Sequence, residues 1–384
     1  MERLRGGALK ILVCVSEYPP YASGIGNVAY RMVKEFEKKG HTCTVCSPTG
    51  PDIALGSRRT IQRFGGVGLL YFWWRVSRYF AGKAEEWDTI WLHGPLFPRR
   101  CPFPAAVITF HTTYRGYKDM TRELRSNKFL RGYYACMELV EKHCLRYVNS
   151  RGYLLTSVST LVASELQAQG MHNSTVSYIS VGVDVDRFRP FPNRAKLRAE
   201  LHIAEDAVVL LYVGRLTHQK NLFVLVDTLA QLRNKMSQVI LLVVGTGELS
   251  SPLIQYAEER GVTNVKFCGF IPNDELPRIY GCADFFIMAS VYEGQPVALL
   301  EAMAAGLPPI VSNIPTMEHL VTESGAGIVV DFSDPAEAAR QIEAYVLSQR
   351  VIQDRDAVRR YVEADLSSTI CAEKYLGLLD RTSR

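Results

Sequence analysis

The sequence predicts an α/β protein built from two doubly wound parallel sheets with helices on both faces. Three observations support this class. The 384 residues are too many for one hydrophobic core of ordinary size. Short apolar runs alternate with helical patterns in both halves of the chain. The runs are nearly continuous in Val, Ile and Leu, which is typical of parallel strands that are buried on both faces.

The first half opens as a strand, a loop, a helix and a second strand. The first strand is predicted at Lys10–Ser16, and the Pro/Gly-rich segment Tyr18–Gly26 follows as a loop. A helix comes next, because apolar residues recur at near-helical spacing from Val28 to Phe36. Further strands are predicted at Thr42–Cys46, Thr89–Leu92, Ala106–Phe110, Gly152–Val158 and within Val176–Pro190. This pattern predicts a Rossmann-like domain over residues 1–190.

The alternation restarts after residue 190. Strands are predicted at Val208–Val213, Val239–Val244, Val265–Phe267, Asp284–Ala289 and Pro309–Ser312. Helices are predicted between them at Asn221–Met236, Leu249–Arg260, Asp274–Gly281 and Val297–Ala305. A second Rossmann-like domain is therefore expected over 191–365, with a C-terminal helix at 366–384 crossing back to the first. The cleft between two such domains is the default active site.

Composition and charge exclude several classes of protein. No apolar run approaches the ~20 residues that span a bilayer, and Met1–Lys10 does not lead into a secretory signal, so a cytoplasmic protein is expected. The nine cysteines, including the Cys43-Thr-Val-Cys46 pair, are expected to be ordinary thiols. Residues 1–190 hold 26 Lys+Arg against 15 Asp+Glu (+11), and residues 191–384 hold 18 against 24 (−6). An acidic second half argues against wholesale nucleic-acid binding.

The segment from Glu293 to Gly306 carries two carboxylates at a helix start. Glu293 lies on the preceding loop, and Glu301 lies about one turn inside the helix. Both could face a ligand at the helix N-terminus, where free N–H groups attract phosphate and carboxylates accept hydrogen bonds from sugar hydroxyls. By spacing alone, one capping and one surface glutamate on an amphipathic helix remain the alternative.

Two cations follow the strand Val208–Val213 in Gly214-Arg215-Leu-Thr-His-Gln-Lys220. Cations at the carboxyl end of a parallel strand can clamp a diphosphate and replace a metal in stabilising its departure. A solvated turn with two exposed cations is the alternative reading.

Taken in order, these segments resemble glycosyltransferase family 4, a large family of retaining enzymes with the GT-B fold, and the resemblance covers nearly the whole chain. Its signatures here are Pro19-Pro20-Tyr-Ala-Ser-Gly24, His111, Gly182-Val-Asp-Val-Asp-Arg-Phe, Gly214-Arg215…Lys220, Val244-Gly-Thr-Gly247, Val265-Lys-Phe-Cys-Gly269 and Glu293…Glu301. The family's fold has two Rossmann-like domains facing each other across a cleft.

The resemblance implies a role for each matched residue. Arg215 and Lys220 match the cations that bind the donor diphosphate. Glu293 matches the carboxylate that contacts the transferred sugar, and Glu301 the one that holds the ribose. His111 matches an active-site histidine near the reacting carbon of the sugar. The donor site should also be lined by Gly24, Gly269, Phe270, Ile271, Gln295, Pro296 and Val297.

The chain departs from the family's usual pattern at four places. Ser23 replaces the first of two adjacent glycines, and Gln295 replaces a residue that is commonly aromatic. Val181 replaces the usual Asn, and Glu248 stands where a proline often follows the Gly-x-Gly turn. These changes leave the matched cations and carboxylates in place but reduce what can be inferred about the donor sugar.

The implied activity is metal-independent transfer of a hexose-type sugar from a UDP- or GDP-linked donor to a glycan or lipid acceptor. The nucleotide sugar is the co-substrate and no other cofactor is implied. Alternatives are a nucleotide-sugar epimerase of related fold and an NAD(P)-dependent oxidoreductase, the latter because Gly24-Ile-Gly26-Asn-Val-Ala29 fits a dinucleotide fingerprint. Asp184-Val-Asp186 and Asp354-Arg-Asp356 match a metal–nucleotide motif and are interpreted as structural.

An aromatic and basic segment in the first domain suggests a membrane contact. All four tryptophans lie between Trp73 and Trp91, and Leu69–Phe80 also carries Arg75 and Arg78. Such a segment could bind an anionic membrane through residues 69–83 and 114–131, on the inner face of the membrane. The alternative is an amphipathic helix that packs its aromatic side chains against the sheet.

Overall fold

The computed structural model describes residues 7–19, 24–97, 101–124, 128–171, 176–233 and 235–383. The chain forms two compact units. The first combines Met1–Gly182 with Ser368–Arg384, and the second is Val183–Ser367. Each unit is built on a parallel sheet covered by helices, so the predicted fold class is confirmed.

The sheet of the first unit has seven parallel strands within the described residues, in the order β3-β2-β1-β4-β5-β6-β7. The strands are β1 (Lys10–Cys14), β2 (Thr42–Ser47), β3 (Ile53–Ala54), β4 (Thr89–His93), β5 (Val107–Phe110), β6 (Leu154–Ser157) and β7 (Val176–Tyr178). The chain winds outward from β1 to β3 and then returns to the other side of β1 with β4. The gap between β1 and β4 is therefore the topological switch point of this sheet.

The first unit has six α-helices before Gly182 among the described residues. They are α1 (Gly24–Lys38), α2 (Arg58–Phe64), α3 (Gly66–Tyr79), α4 (Tyr114–Glu123), α5 (Lys128–Ser150) and α6 (Thr160–Ala168). In α1 the residues predicted to face the core, from Val28 to Phe36, are buried at the expected spacing. Thr113 caps α4, because its side chain accepts a hydrogen bond from the backbone N–H of Gly116.

The second unit repeats the architecture, with six parallel strands among the residues described there, in the order β10-β9-β8-β11-β12-β13. The strands are β8 (Val208–Val213), β9 (Val239–Val244), β10 (Val265–Gly269), β11 (Phe285–Met288), β12 (Pro309–Ser312) and β13 (Ile328–Val330). Here the switch point lies between β8 and β11. The carboxyl ends of these two strands are the expected position for a ligand.

The helices of the second unit are α7 (Arg194–Glu200), α8 (Leu222–Arg233), α9 (Ser250–Glu259), α10 (Leu276–Cys282), α11 (Val297–Ala304), α12 (Pro315–Ser324), α13 (Pro335–Val346) and α14 (Arg350–Tyr361). Three helix starts lie one or two residues later than predicted, at Leu222, Ser250 and Leu276 rather than at Asn221, Leu249 and Asp274. Asn221, predicted to begin α8, has a left-handed backbone with a φ of 51°. It ends the short 3-10 turn His218–Lys220, so α8 begins at Leu222.

The final helix, α15 (Ser368–Arg381), belongs to the first unit. Its buried residues, among them Cys371, Tyr375 and Leu379, join the core formed by β1 and α1. The chain enters the second unit after Gly182 rather than at residue 190. The reason is that Phe188 packs edge-to-face on Tyr280, with ring centroids 5.6 Å apart, and its carbonyl accepts a hydrogen bond from Arg359.

Candidate active site

Two loops that meet at the switch point of the second sheet carry the predicted donor-binding residues. Arg215 and Lys220 follow β8, and Glu293 follows β11. The loops are bonded to each other, because the backbone N–H of Val291 donates to the carbonyl of Gln219 (3.0 Å) and the Gln219 amide donates to the carbonyl of Tyr292 (2.7 Å). The second unit therefore brings the predicted cations and one predicted carboxylate to the same edge of the sheet.

The glycines after β9 allow the loop after β8 to pass close by. Gly214 N–H donates to the carbonyl of Val244, and Leu216 N–H donates to that of Thr246, both at 3.0 Å. A Cβ on Gly245 would lie 1.9 Å from the Gly214 carbonyl oxygen, and one on Gly247 would lie 2.3 Å from that of Leu216. The Val244-Gly-Thr-Gly motif thus holds the Arg215 loop in place through backbone contact that only glycine permits.

Lys220 and Glu293 form an ion pair. Their side chains are only 13% and 7% exposed, so the pair is largely shielded from water. Glu293 is held from behind as well, since the Thr316 hydroxyl donates to its backbone carbonyl at 3.0 Å. The cation predicted for the diphosphate and the carboxylate predicted for the sugar therefore neutralise each other in this structure.

Tyr212 lies beside this ion pair, and the sequence analysis does not single it out. Its hydroxyl donates to the carbonyl of Arg215 (3.0 Å) and helps to fix the loop, while the Arg215 side chain is exposed. Burial, and then the charge of Glu293, hold the pKa of Tyr212 well above its usual range, so the hydroxyl remains a donor. Tyr212 is the fifth residue of an apolar strand, and only the residue type signals a polar role.

Helix α11 presents its N-terminus at the same edge of the sheet. Pro296 occupies the N-cap position and Val297 is the first helical residue, so the predicted segment Gln295–Val297 surrounds the free N–H groups of the first turn. Glu301 lies one turn inside the helix, as predicted, and its Oε2 accepts a hydrogen bond from the hydroxyl of Tyr280 at 3.0 Å. Tyr280 is a second positioning residue that the sequence did not reveal.

The segment predicted to lie beside the base follows β10. Gly269 has a φ of +66°, and its carbonyl accepts a hydrogen bond from the N–H of Gly245 (2.8 Å). Phe270 is 72% exposed, so its ring is available for stacking, and Ile271 is half-buried. The roles assigned to these three residues stay predictions.

In the first unit, the two predicted residues lie at the carboxyl side of the sheet. Gly24 is the first residue of α1, and the rest of its glycine loop, residues 20–23 with Ser23, lies outside the described residues. His111 directly follows β5 and is buried, and burial lowers its pKa to about 4. Its Nε2 lies 2.9 Å from Nδ1 of His93. The sequence could have indicated His93, because it ends the neighbouring strand.

The motifs interpreted as structural have structural contacts. Asp354 is buried and accepts hydrogen bonds from the Gly327 N–H (2.9 Å) and the Tyr345 hydroxyl (2.6 Å). Asp184 accepts one from the backbone N–H of Arg187 at 3.0 Å. Cys43 and Cys46 are free thiols in β2.

The described ranges offer neither a metal site of the usual kind nor a membrane-spanning helix. They contain no group of three or more His, Cys, Asp or Glu side chains arranged to hold a metal ion. Across the same ranges, no helix combines the length and apolar character needed to cross a bilayer.

Family models match both halves of the chain. The model described as Glycosyltransferase Family 4 matches residues 22–187, and the one described as Glycosyl transferases group 1 matches residues 193–364. The chain belongs to glycosyltransferase family 4. Membership of this family accounts for the order in which the motifs occur along both domains.

Relatives of this family 4 protein include two named enzymes. The chain is 32% identical over 201 residues to the GDP-mannose-dependent alpha-(1-6)-phosphatidylinositol monomannoside mannosyltransferase of Mycobacterium tuberculosis, a match that covers 50% of this chain and 52% of the relative. The match therefore spans about half of that relative's length. It is 25% identical over 346 residues to the alpha-monoglucosyldiacylglycerol synthase of Streptococcus pneumoniae, covering 83% and 74% of the two chains.

The fold of the family 4 protein is also that of solved structures. A sucrose-phosphate synthase from Thermosynechococcus elongatus superposes with a TM-score of 0.77 at 20% identity, covering 97% of this chain and 98% of that one. At this identity the likeness shows the fold alone, which is GT-B.

Proposed function

We propose that the protein is a retaining glycosyltransferase that moves a hexose-type sugar from a UDP- or GDP-linked donor to a lipid or lipid-linked glycan. One observation carries the proposal: the switch point of the second sheet joins Arg215 and Lys220 to Glu293 and to the N-terminus of α11. Cations and free N–H groups suit a diphosphate, and carboxylates suit sugar hydroxyls. Neither relative reported above is an epimerase or an NAD(P)-dependent oxidoreductase.

In the proposed reaction, Arg215 and Lys220 stabilise the diphosphate as it leaves, without a metal ion. The bond between the anomeric carbon and the diphosphate oxygen breaks, and a bond from that carbon to the acceptor oxygen forms on the same face. The acceptor's proton passes to an oxygen of the departing phosphate. Glu293 orients the sugar, and Glu301, held by Tyr280, receives the ribose hydroxyls.

A lipid acceptor is supported by the names of the relatives. The mycobacterial relative is named for phosphatidylinositol monomannoside, and the streptococcal one for a diacylglycerol product. We extend this acceptor class to the present chain, with a cytoplasmic protein that works at the inner face of the membrane. The first unit offers a surface suited to that position.

Helix α3 has one aromatic face that is buried and another that is exposed. Phe72 and Trp73 are buried, and Trp73 packs edge-to-face on Phe97 at 5.2 Å, as the packing alternative expects. Tyr71 and Trp74 point outward from the same helix and stack on each other at 5.7 Å. Trp74 is 45% exposed, so the membrane interpretation applies to this outer face.

The first turn of α5 adds another exposed aromatic side chain to the first unit. The backbone N–H of Gly66 donates to the Tyr133 hydroxyl at 2.6 Å, which fixes α5 beside the junction of α2 and α3. Phe129, four residues before Tyr133, is 91% exposed, and exposed Phe64 lies at the end of α2. Large apolar side chains from three helices are therefore open to solvent around one junction.

The segment that contains α2 and α3 is rich in cations. Residues 53–84 contain no Asp or Glu but six cations: Arg58, Arg59, Arg63, Arg75, Arg78 and Lys83. The Arg78 guanidinium lies 5.1 Å from the Trp74 ring centroid, and the Lys83 ammonium lies 4.2 Å from that of Tyr79. Aromatic rings with adjacent cations suit the headgroup region of an anionic bilayer.

Within residues 114–131, the cations of α4 are less suited to binding anionic lipid than those at the start of α5. In α4, Lys118 pairs with Glu138, and Arg115 and Arg122 both approach Asp119. These cations are already matched by carboxylates, so α4 adds little attraction for anionic lipid. The contribution of this segment is assigned instead to Lys128–Arg131 at the start of α5.

Flotation with vesicles tests the membrane part of the proposal. The protein should float with vesicles that contain phosphatidylglycerol at low salt and remain at the bottom with pure phosphatidylcholine. The variant Trp74→Ser/Phe129→Ser should lose flotation, whereas Leu347→Ser, at an exposed apolar site of the second unit, should not. Wild-type protein that stays at the bottom with anionic vesicles at low salt would overturn this part.

A thermal-shift panel tests the donor part. UDP, GDP, ADP, their sugar conjugates, NAD and NADP are added in the presence of EDTA. A ligand at ~100-fold over its dissociation constant should add about 2.7 kcal/mol of stability. A selective shift with UDP or GDP is expected, and a shift with only NAD or NADP would overturn the proposed function.

A further inference from the structure

Two histidines lie side by side at the carboxyl end of the first sheet. His93 is the last residue of β4, and its register partner on β5 is Thr109, two residues before His111. Nδ1 of His93 and Nε2 of His111 are 2.9 Å apart, and the two ring planes are inclined by only 16°. This geometry is that of a hydrogen bond between two imidazoles.

The two rings share one proton across this contact. Burial, and then the neighbouring His111, hold the pKa of His93 well below its usual range, and burial lowers that of His111 to about 4. At neutral pH each ring therefore carries a single N–H. Either His93 donates from Nδ1, or His111 donates from Nε2.

The other nitrogen of His93 decides between these arrangements. His93 Nε2 is buried and has no hydrogen-bond partner among the described residues. If His111 donated, this atom would carry a buried N–H without an acceptor. If His93 donates, the atom carries only a lone pair, and under-satisfied acceptors are less rare than orphaned buried N–H groups. Donation from His93 Nδ1 is therefore favoured.

The strands around His93 hold its ring in this orientation. The Trp91 ring lies against it with centroids 4.1 Å apart. Trp91 is itself fixed, because its Nε1 donates to the Thr109 hydroxyl at 2.8 Å and the Tyr375 ring of α15 packs against it at 4.8 Å. The ring of His93 is therefore packed against a side chain that is held inside the core.

We propose that His93 is a positioning residue that fixes His111 as the tautomer protonated on Nδ1. With its Nε2 occupied by His93, His111 presents an N–H donor rather than a base, which suits a hydroxyl or ether oxygen of the sugar. The catalytic part of this inference rests on the proposed function. The tautomer itself does not.

Histidine-detected ¹H–¹⁵N spectra of the full chain test the tautomer directly, with signals assigned by His93 and His111 substitutions. His93→Asn retains an amide donor near the position of Nδ1, and His93→Leu removes it. His111 should be protonated on Nδ1 in the wild type and in His93→Asn, and should shift toward Nε2 in His93→Leu. A wild-type His111 protonated on Nε2, or an unchanged tautomer in His93→Leu, would overturn the proposal.

Kinetics separate a positioning role from a merely structural one. His93→Leu should lower kcat by at least about tenfold with little change in the KM for the nucleotide sugar, and His93→Asn should restore most of kcat. His143→Asn, at an exposed histidine of α5, is the matched control and should alter neither the His111 signal nor kcat. Equal kcat in wild type and folded His93→Leu would overturn the catalytic part. A wild-type protein with no transfer activity would instead overturn the proposed function while the spectra still test the tautomer.

Discussion

The carboxyl ends of the two sheets are built from different chemistry. In the second unit, this edge carries charges: Arg215 is exposed, and Lys220 and Glu293 form an ion pair. In the first unit, the corresponding edge carries His93 and His111, which are buried and neutral. Under the proposed function, the charged edge of the second unit suits a diphosphate that gains charge as it leaves. Substitutions in the two units should therefore have different effects on activity and stability.

The largest expected effect is in the charged region. Lys220→Ala should lower kcat/KM by about 30- to 1,000-fold, equivalent to about 2–4 kcal/mol of transition-state stabilisation, because one preorganised electrostatic contact to the leaving group is lost. Arg215→Ala should behave similarly. Initial-rate kinetics with the donor found by thermal shift provide the measurement.

Lys235→Ala is the matched control for this prediction. The Lys235 ammonium pairs with Glu343 on the surface of the same unit, and surface pairs contribute little. A loss of activity in Lys235→Ala as large as that in Lys220→Ala would show that the effect comes from removing any positive charge from this unit.

A buried carboxyl in the first unit, Glu141, predicts a pH dependence of the protein's stability. Glu141 lies beneath the start of α4, where its Oε2 accepts from the Tyr114 N–H (2.9 Å) and the Gln169 amide (3.1 Å). Burial raises its pKa from 4.5 to about 7. The folded protein keeps this proton where the unfolded chain has lost it, so the free energy of unfolding falls by up to about 3 kcal/mol as pH rises from about 4.5 to about 7.

Thermal melting at pH 5 and pH 8 checks this sign. Glu141→Gln keeps an acceptor oxygen and removes the charge, so its advantage over the wild type should be larger at pH 8. An advantage confined to pH 5 would contradict the assignment.

The fold was predicted from the sequence more fully than the site. Strands such as Val208–Val213 are unbroken apolar runs, and the structure has them at the predicted bounds. The strand Ile53–Ala54 has two residues, too few to show a period. The pair of Lys220 and Glu293 joins residues 73 apart, and no local pattern reports such a contact. His93 follows the predicted strand Thr89–Leu92 and is not singled out by the sequence, because only the neighbouring strand shows what it faces.

The ion pair of Lys220 and Glu293 predicts that turnover and binding respond differently to loss of the carboxylate charge. Glu293→Gln should lower kcat for the nucleotide sugar by about tenfold or more, because a charged contact to the sugar is lost. Affinity for the bare nucleoside diphosphate should stay within about twofold or improve, since Lys220 is released from its partner. Titration calorimetry with the diphosphate and initial rates with the sugar conjugate separate the two. Parallel losses would show that Glu293 does not act on the sugar.

The smallest expected effect concerns Tyr280. Its hydroxyl donates to Glu301, and burial, together with the Glu301 charge, holds its pKa well above its usual range. Tyr280→Phe should weaken binding of the nucleoside diphosphate by about 1 kcal/mol, or roughly fivefold, because Glu301 loses one positioning contact. Calorimetry with the ribonucleoside diphosphate and its 2′-deoxy analogue gives the measurement. An equal loss of affinity for both ligands would argue against a role at the ribose.

The return of α15 to the first unit has a consequence for biosynthesis. The second unit is continuous from Val183 to Ser367, so all strands of its sheet are synthesised before α15. The first unit lacks Cys371, Tyr375 and Leu379 from its core until that helix emerges. At about 5–20 residues per second, the wait is on the order of ten to forty seconds. The domain that is synthesised first is thus the one that is completed last, and part of its apolar core stays uncovered in the interval.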